Sequence, residues 1–256
     1  MPYMERDGVK LAFEESGTGG PPLLFVHGWC CDRSHFDAQV AHFSLAHRCI
    51  AVDLRGHGES DKPEGAYSIA GFADDLAWLC RAIGVQKPVI VGHSMGGAIA
   101  LSLAARHPEL PAAIVMLDGA VSPPPALLAM VEPLAAAFRS PGYAEALRGI
   151  FEQMFTPTDD AERRARIVAK AIDTPQHVAA AEWSAIWSND WAADVAACKT
   201  PAMYVGSHAP VADMAALRAA MPSAVLAQTA GAGHFHQIEV PEQVNAMIER
   251  FLAVSL

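Results

Sequence analysis

Ser94 stands in the string Gly92-His93-Ser94-Met95-Gly96-Gly97, directly after the apolar run Val89-Ile90-Val91 and directly before the alanine-rich run 98–105. A serine hydroxyl attacks only when a base takes its proton, and a serine held on a sharp strand-to-helix corner, a nucleophile elbow, is presented openly to such a base. The glycines fit the corner. Side chains at Gly92 and Gly96 would collide with neighbouring backbone while Ser94 adopts a strained conformation. The start of a helix adds unpaired N–H groups and a dipole, both of which favour negative charge developing on a bound substrate. A Gly-x-Ser-x-Gly string also arises by chance in glycine-rich loops, so the strand before it and the helix after it give it meaning.

The base and its orienting acid must come from other parts of the chain. His234 lies in Ala230-Gly231-Ala232-Gly233-His234-Phe235, a small-residue loop between the apolar run 224–228 and a terminal helix. From such a corner an imidazole can reach a strand end. His236 competes two residues on, but the glycines favour His234 and leave His236 as a pocket or surface residue. His93 is expected to pack beside the corner, and His35, His42, His47, His57, His107, His177 and His208 read as solvated or structural. Two positions offer the acid. Asp118 ends the run 113–117, and the carboxyl ends of parallel strands face the active site of an α/β sheet. Asp213 directly precedes Met214-Ala215-Ala216-Leu217-Arg218, where a helix N-cap explains a carboxylate well. The preferred acid is Asp118, which would fix the tautomer of His234 and stabilise its imidazolium. The alternatives are Asp213, or an Asp118 that only caps the following turn.

The elements that must hold these residues alternate. Runs 23–26, 49–52, 89–91, 113–117 and 202–205 are short, apolar and bounded by small or polar residues, as strands buried on both faces of a parallel sheet are. Between them, 69–83 carries Ile69, Phe72, Leu76, Leu79, Cys80 and Ile83 at helical spacing, 98–106 continues the corner, and 242–252 closes the chain with Val244, Met247, Ile248, Phe251 and Leu252 on one face. The expected fold is therefore α/β, a mostly parallel central sheet flanked by helices. The alternation breaks over 121–199, which opens with Ser122-Pro123-Pro124-Pro125 and continues in proline-punctuated helical stretches without a convincing strand. It reads as a helical lid inserted between two late strands, with 1–120 and 200–256 forming the core. Trp183, Trp187 and Trp191 follow at i, i+4 and i+8, one face of a helix if the helix runs that far. Such a stripe is commonly packing between lid and core. Trp183 and Trp187 are nonetheless candidate pocket residues together with Trp29, Met95 and Phe235, which makes the expected substrate apolar and uncharged.

At these residues the chain resembles the α/β-hydrolase fold superfamily, in its serine-nucleophile, esterase-like branch. The matching pieces are His27-Gly28-Trp29, Asp53-Leu54-Arg55-Gly56-His57-Gly58-Glu59-Ser60, Gly92-His93-Ser94-Met95-Gly96-Gly97 and Gly231-Ala232-Gly233-His234, in family order over nearly the whole chain. The resemblance implies an oxyanion hole formed by the backbone N–H groups of Trp29 and Met95, and a structural crossover at 53–60. Without it, Asp53 and Arg55 read as a surface ion pair. The departure concerns the acid. Many members carry an aspartate shortly after the glycine that ends the strand 202–205, but Gly206-Ser207-His208-Ala209-Pro210 offers none there. Some branches place it after the strand that here ends at Leu117.

Composition narrows the partners. The 256 residues are 52% hydrophobic, enough for one large α/β domain, and carry a formal net charge of −10. No basic patch offers itself to nucleic acid or an anionic membrane. Residues 1–8 show neither a basic n-region nor an apolar h-region, and no run approaches the roughly 18 residues of a membrane helix. Five cysteines, Cys30, Cys31, Cys49, Cys80 and Cys198, lack metal-ligand spacing and fit reduced thiols in a cytoplasmic protein. The expected partner is a small-molecule substrate, with no metal or organic cofactor; the sequence leaves oligomeric state open. Three functions follow. The leading one is hydrolysis of an ester or related acyl compound through an acyl-enzyme. The resemblance also admits the cofactor-free ring-cleaving dioxygenases of the same fold, which share a Gly28-Trp29-Cys30-like loop and an acid at the Asp118 position. A slow-turnover binding protein that keeps the pocket is the third.

Overall fold

The computed structural model describes residues 2–256, and among these eight strands form one sheet in the order β1-β2-β4-β3-β5-β6-β7-β8. β1 (Tyr3–Arg6) and β2 (Val9–Ser16) form a hairpin, and β2 runs antiparallel to β4 (Cys49–Val52). From there β3 (Leu23–Val26), β5 (Val89–His93), β6 (Ala113–Leu117), β7 (Ala202–Gly206) and β8 (Val225–Gln228) continue in parallel.

Alternation of side chains along each strand sends two sets of residues to opposite faces. On one face Leu24, Val26, Ile90, Ile114 and Met116 pack with α2 (Ile69–Ala82) and α3 (Met95–Arg106). On the other, Leu23, Phe25, Val91, Val115 and Leu117 meet Phe43 of α1 (Asp37–Phe43) and Val244, Ile248 and Phe251 at the chain's last helix. Burial on both faces is why these strands are apolar throughout instead of alternating.

Between β6 and β7 the described residues form helices only: α4 (Pro125–Leu128), α5 (Val131–Phe138), α6 (Tyr143–Glu152), α7 (Ala161–Ile172), α8 (Gln176–Ser188) and α9 (Trp191–Ala197). The tryptophan stripe is shorter than its spacing suggested. α8 ends at Ser188 and Trp191 opens α9, so only Trp183 and Trp187 share a helix. The chain then passes through β7, α10 (Met214–Ala220), β8, the single turn α11 (His236–Glu239) and α12 (Pro241–Ser255). No helix among the described residues is long and apolar enough to cross a membrane.

The segment 53–60 also differs from a surface ion pair. Asp53 is fully buried, accepts from the backbone N–H groups of Arg33 and Glu59 at 2.9 Å each, and pairs with the Arg33 guanidinium. Arg55 turns instead to Asp75, 2.9 Å from Nη2 to Oδ1. Asp53 thereby ties the crossover to the turn after β3, and Gly58 leaves room for its carboxyl, since a Cβ there would lie 2.3 Å from Asp53 Cγ.

Candidate active site

Ser94 sits between β5 and α3 with φ 53° and ψ −117°, the strained left-handed backbone expected of a sharp corner. The glycines around it are steric necessities. A Cβ on Gly92 would lie 2.0 Å from the Gly96 carbonyl oxygen, and one on Gly96 would lie 2.1 Å from that of Val26. Gly28 brings the turn after β3 against the serine, since a Cβ there would stand 3.1 Å from Ser94 Cβ. Met95 is the first residue of α3, so its N–H has no acceptor within the helix.

Asp118 leaves the neighbouring strand one residue beyond the register pair His93–Leu117. The Ser94 N–H donates to the Leu117 carbonyl at 2.9 Å, which fixes the serine corner beside the acid's strand end. His234 Nδ1 lies 2.7 Å from Asp118 Oδ2. A carboxylate accepts, so Nδ1–H donates and the lone pair is left on Nε2, the tautomer a general base needs. The other oxygen, Oδ1, accepts from the Tyr204 hydroxyl at 3.2 Å and from the N–H groups of Val211 at 3.1 Å and Ser207 at 3.3 Å. Burial alone would push Asp118 up, but the hydrogen bond and charge of His234 and the Ser207 N–H outweigh it and hold the carboxyl below its ordinary value.

Asp213 takes no part in this group. Its carboxylate accepts from Ala215 and Ala216 N–H at 3.0 Å, capping α10. The loop after β7, the place where the resemblance leads one to look for the acid, here holds Pro210 against Gly206 and turns N–H groups toward a carboxylate arriving from β6. Tyr204, Ser207 and Val211 were not singled out in the sequence. Only the tyrosine, a hydroxyl inside an otherwise apolar strand, gave a signal.

The His234 loop is held from two sides. His93 Nε2–H donates to the His234 carbonyl at 2.9 Å, and the His234 N–H donates to that of Met154 at 2.8 Å. Gly233 permits the second contact, because a Cβ would stand 2.7 Å from the same carbonyl. His236 is fully buried, not a pocket or surface residue; Nδ1 lies 3.1 Å from Thr229 Oγ1, and burial pushes the ring down to about 4.

A cleft of about 300 Å³ opens beside this group, lined by Asp118 and His234 together with Met154, Phe155, Val211 and Gly233 among others. The aromatic candidates pack behind it. Trp29 contacts Phe138, Phe151 and Trp183 at centroid distances of 5.0, 5.9 and 5.0 Å. Phe235 stacks on Phe155 at 5.3 Å, while Trp183 donates to the Val131 carbonyl and meets Trp187 at 5.5 Å. Trp183, Trp187 and Phe235 therefore do not line this cleft, although Phe155 carries the stack to its wall. Among the described residues no three His, Cys, Asp or Glu side chains are arranged to hold a metal ion.

The order of strands, the corner at Ser94 and a histidine loop after the last strand agree with a family model described as the alpha/beta hydrolase fold, which matches residues 21–241. The chain belongs to that family. Over 110 residues it is 38% identical to a protein of Mesorhizobium japonicum named 2-(acetamidomethylene)succinate hydrolase, covering 43% of this chain and 39% of that protein. The chain thus matches well under half the length of that relative. Solved structures align along the whole alpha/beta hydrolase fold. An esterase from Thermogutta terrifontis superposes with TM-score 0.86 at 27% identity, covering 99% of this chain and 97% of that one. An enol-lactonase from Burkholderia xenovorans superposes with TM-score 0.87 at 25% identity, covering 98% and 100%.

Proposed function

We propose that the protein is a serine hydrolase that cleaves an ester, or a closely related acyl bond, of a small and largely apolar substrate. The observation that carries this reading is the 2.7 Å contact between His234 Nδ1 and Asp118, on a loop anchored to the strand-to-helix corner of Ser94. Ser94 Oγ attacks the acyl carbon as His234 Nε2 takes its proton, and the imidazolium is stabilised by Asp118. The same proton then goes to the leaving oxygen, which leaves an acyl-enzyme that water, deprotonated by His234, hydrolyses. Trp29 and Met95 N–H groups receive the oxyanion. Residues 121–199 act as a cap over the serine, and Met154, Phe155 and Val211 favour an apolar acyl or alcohol portion. The named activities of the similar esterase and lactonase agree with oxygen esters, open-chain or cyclic.

A fluorophosphonate probe with mass-spectrometric mapping, run beside a short p-nitrophenyl ester, tests this. An adduct on Ser94 and turnover that falls at least about 1,000-fold in Ser94→Ala and His234→Ala are expected. Wild-type protein that neither labels nor turns over overturns the reading.

A further inference from the structure

Helix α8 grips the turn after β3 at three points, although nothing on α8 enters the chemistry proposed above. The Trp29 Nε1–H donates to the Ala179 carbonyl at 3.0 Å, and the Trp29 and Trp183 rings pack 5.0 Å apart. The third grip is indirect. The Cys30 N–H donates to His57 Nε2 at 3.2 Å, and the same nitrogen lies 3.0 Å from Glu182 Oε2. Both side chains are buried, Glu182 completely. Gly56 permits this approach, since a Cβ there would meet Val178 of α8 at 2.7 Å and the Glu182 carboxyl at 3.1 Å.

The hydrogen-bond pattern favours a proton on Nδ1 of His57. His57 Nδ1 is 3.1 Å from the Arg55 carbonyl, which can only accept, so Nδ1 carries a hydrogen. The Cys30 N–H can only donate and needs the Nε2 lone pair. A neutral imidazole meets both demands, and Glu182 Oε2 lies 3.0 Å from the same Nε2, so a protonated carboxyl shares that one lone pair with the Cys30 N–H as a three-centre contact. Burial pushes Glu182 up from the ordinary carboxylic range, and against burial the charge and contact of Glu182 push His57 up in turn, so both shifts keep a proton on this buried pair. One nitrogen thus joins a helix of the 121–199 segment to the residue after Trp29. Cys30 has φ 53°, a left-handed conformation that a residue with a side chain keeps only when its surroundings hold it.

We propose that Glu182 is a positioning residue: acting through His57, it holds the Trp29–Cys30 turn and so aims the Trp29 N–H at the oxyanion, making turnover depend on α8 being seated on the core. This rests on the hydrolase reading above. A donor that receives charge in the transition state affects kcat more than KM, whereas a purely structural contact affects the fraction of folded protein.

Glu182→Gln keeps an N–H donor toward His57, and Glu182→Leu keeps the volume without one. With p-nitrophenyl acetate and active sites counted by fluorophosphonate titration, E182Q is expected within about twofold of wild-type kcat and E182L about tenfold below it, KM staying within about twofold in both. Labelling of Ser94 in E182L slows by the same factor, because phosphonylation uses the same donors. Trp29→Phe, which deletes the bond to Ala179, lowers kcat about threefold at unchanged KM. E182L with wild-type kcat per titrated site overturns the proposal whatever its melting temperature. If E182L does not fold, W29F decides, and wild-type kcat there overturns it. Wild-type protein that fails to label and to turn over would instead overturn the hydrolase reading, and the oxyanion role with it.

Discussion

Asp118 shows how much a single carboxylate depends on what meets both of its oxygens. One oxygen takes the His234 Nδ1–H, and the other takes a hydroxyl and two backbone N–H groups, so neither is left unpartnered in a buried site. Asp118→Asn keeps the shape but offers His234 an amide that can donate, which leaves the imidazole in the wrong tautomer. Turnover of a p-nitrophenyl ester is expected to fall about 1,000-fold, with the melting temperature changed far less. Asp213→Asn is the matched control. Asparagine caps a helix about as well as aspartate, so activity should stay within about twofold. Equal losses in the two variants would dissolve the assignment. At this scale much was legible in the sequence: the residue types and neighbours of Ser94, His234 and Asp118 are local features. What holds them was largely not, because Tyr204, Ser207 and Val211 lie some 90 positions from Asp118 along the chain; only Tyr204 donates from a side chain, and the backbone donors of Ser207 and Val211 have no residue signature.

The elements around the site were legible where burial makes a pattern and obscure where it does not. Strands buried on both faces are apolar runs, and β3, β4, β5, β6 and β7 stand where those runs do. β1 and β2 are exposed on many positions and carry Glu, Lys and Arg, so no apolar run marks them; the turn residues Asp7 and Gly8, both at positive φ, were their only local signal. The tryptophan stripe misled because spacing alone does not reveal a helix end, and α8 stops at Ser188, before Trp191 opens α9. Asp53 misled because a charged pair two positions apart invites a local partner, whereas its partner Arg33 comes from the turn after β3. The glycine corner allows a prediction at this scale. In Gly96→Ala the added methyl would lie 2.1 Å from the Val26 carbonyl and 2.7 Å from that of His27, both backbone atoms of the strand and turn beneath α3. Neither can yield without lifting the helix start from the sheet, so a loss of at least about 3 kcal/mol is expected in urea denaturation. A wild-type midpoint would mean the corner is softer than its contacts imply.

Over the whole molecule, the features that pack the site also set a limit on acid. His27, His93 and His236 are fully buried, and burial pushes each below its ordinary value, His236 to about 4. Geometry agrees for His27, whose Nδ1 donates to the Gly28 carbonyl while Nε2 accepts the Leu54 N–H at 3.0 Å, so a second ring proton would face a donor. Below about pH 6.5 the unfolded chain binds protons at these histidines and the folded chain does not, so stability falls as pH falls. For His236 the loss runs from about pH 6.5 to its folded value near 4 and amounts to about 3 kcal/mol. Asp118, held low by His234, adds a loss only below about pH 4. Acting the other way, Glu182, raised by burial, and Asp37, raised by partial burial, favour the folded state as they protonate, and the formal charge of −10 shrinks, relieving self-repulsion. His35, pushed up to about 10, and His57, also raised, contribute stability that is complete below pH 6.5 and lost only as pH rises above it, so they do not alter the slope below it. The charge relief is spread over a screened surface, Asp37 is largely exposed, and Glu182 is one buried carboxyl against three buried imidazoles, so the histidines decide the sign. Melting temperature should therefore decline between pH 6.5 and 4.5, and His236→Gln, which cannot take up a proton, should flatten the decline. A constant melting temperature over that range would show that these rings find solvent or a counter-charge on protonation. Since His27 flanks Gly28 in sequence and His93 adjoins Ser94, the acid-weakened contacts include those at the Ser94 corner, and the proposed ester turnover should fade with the melting temperature instead of outlasting it.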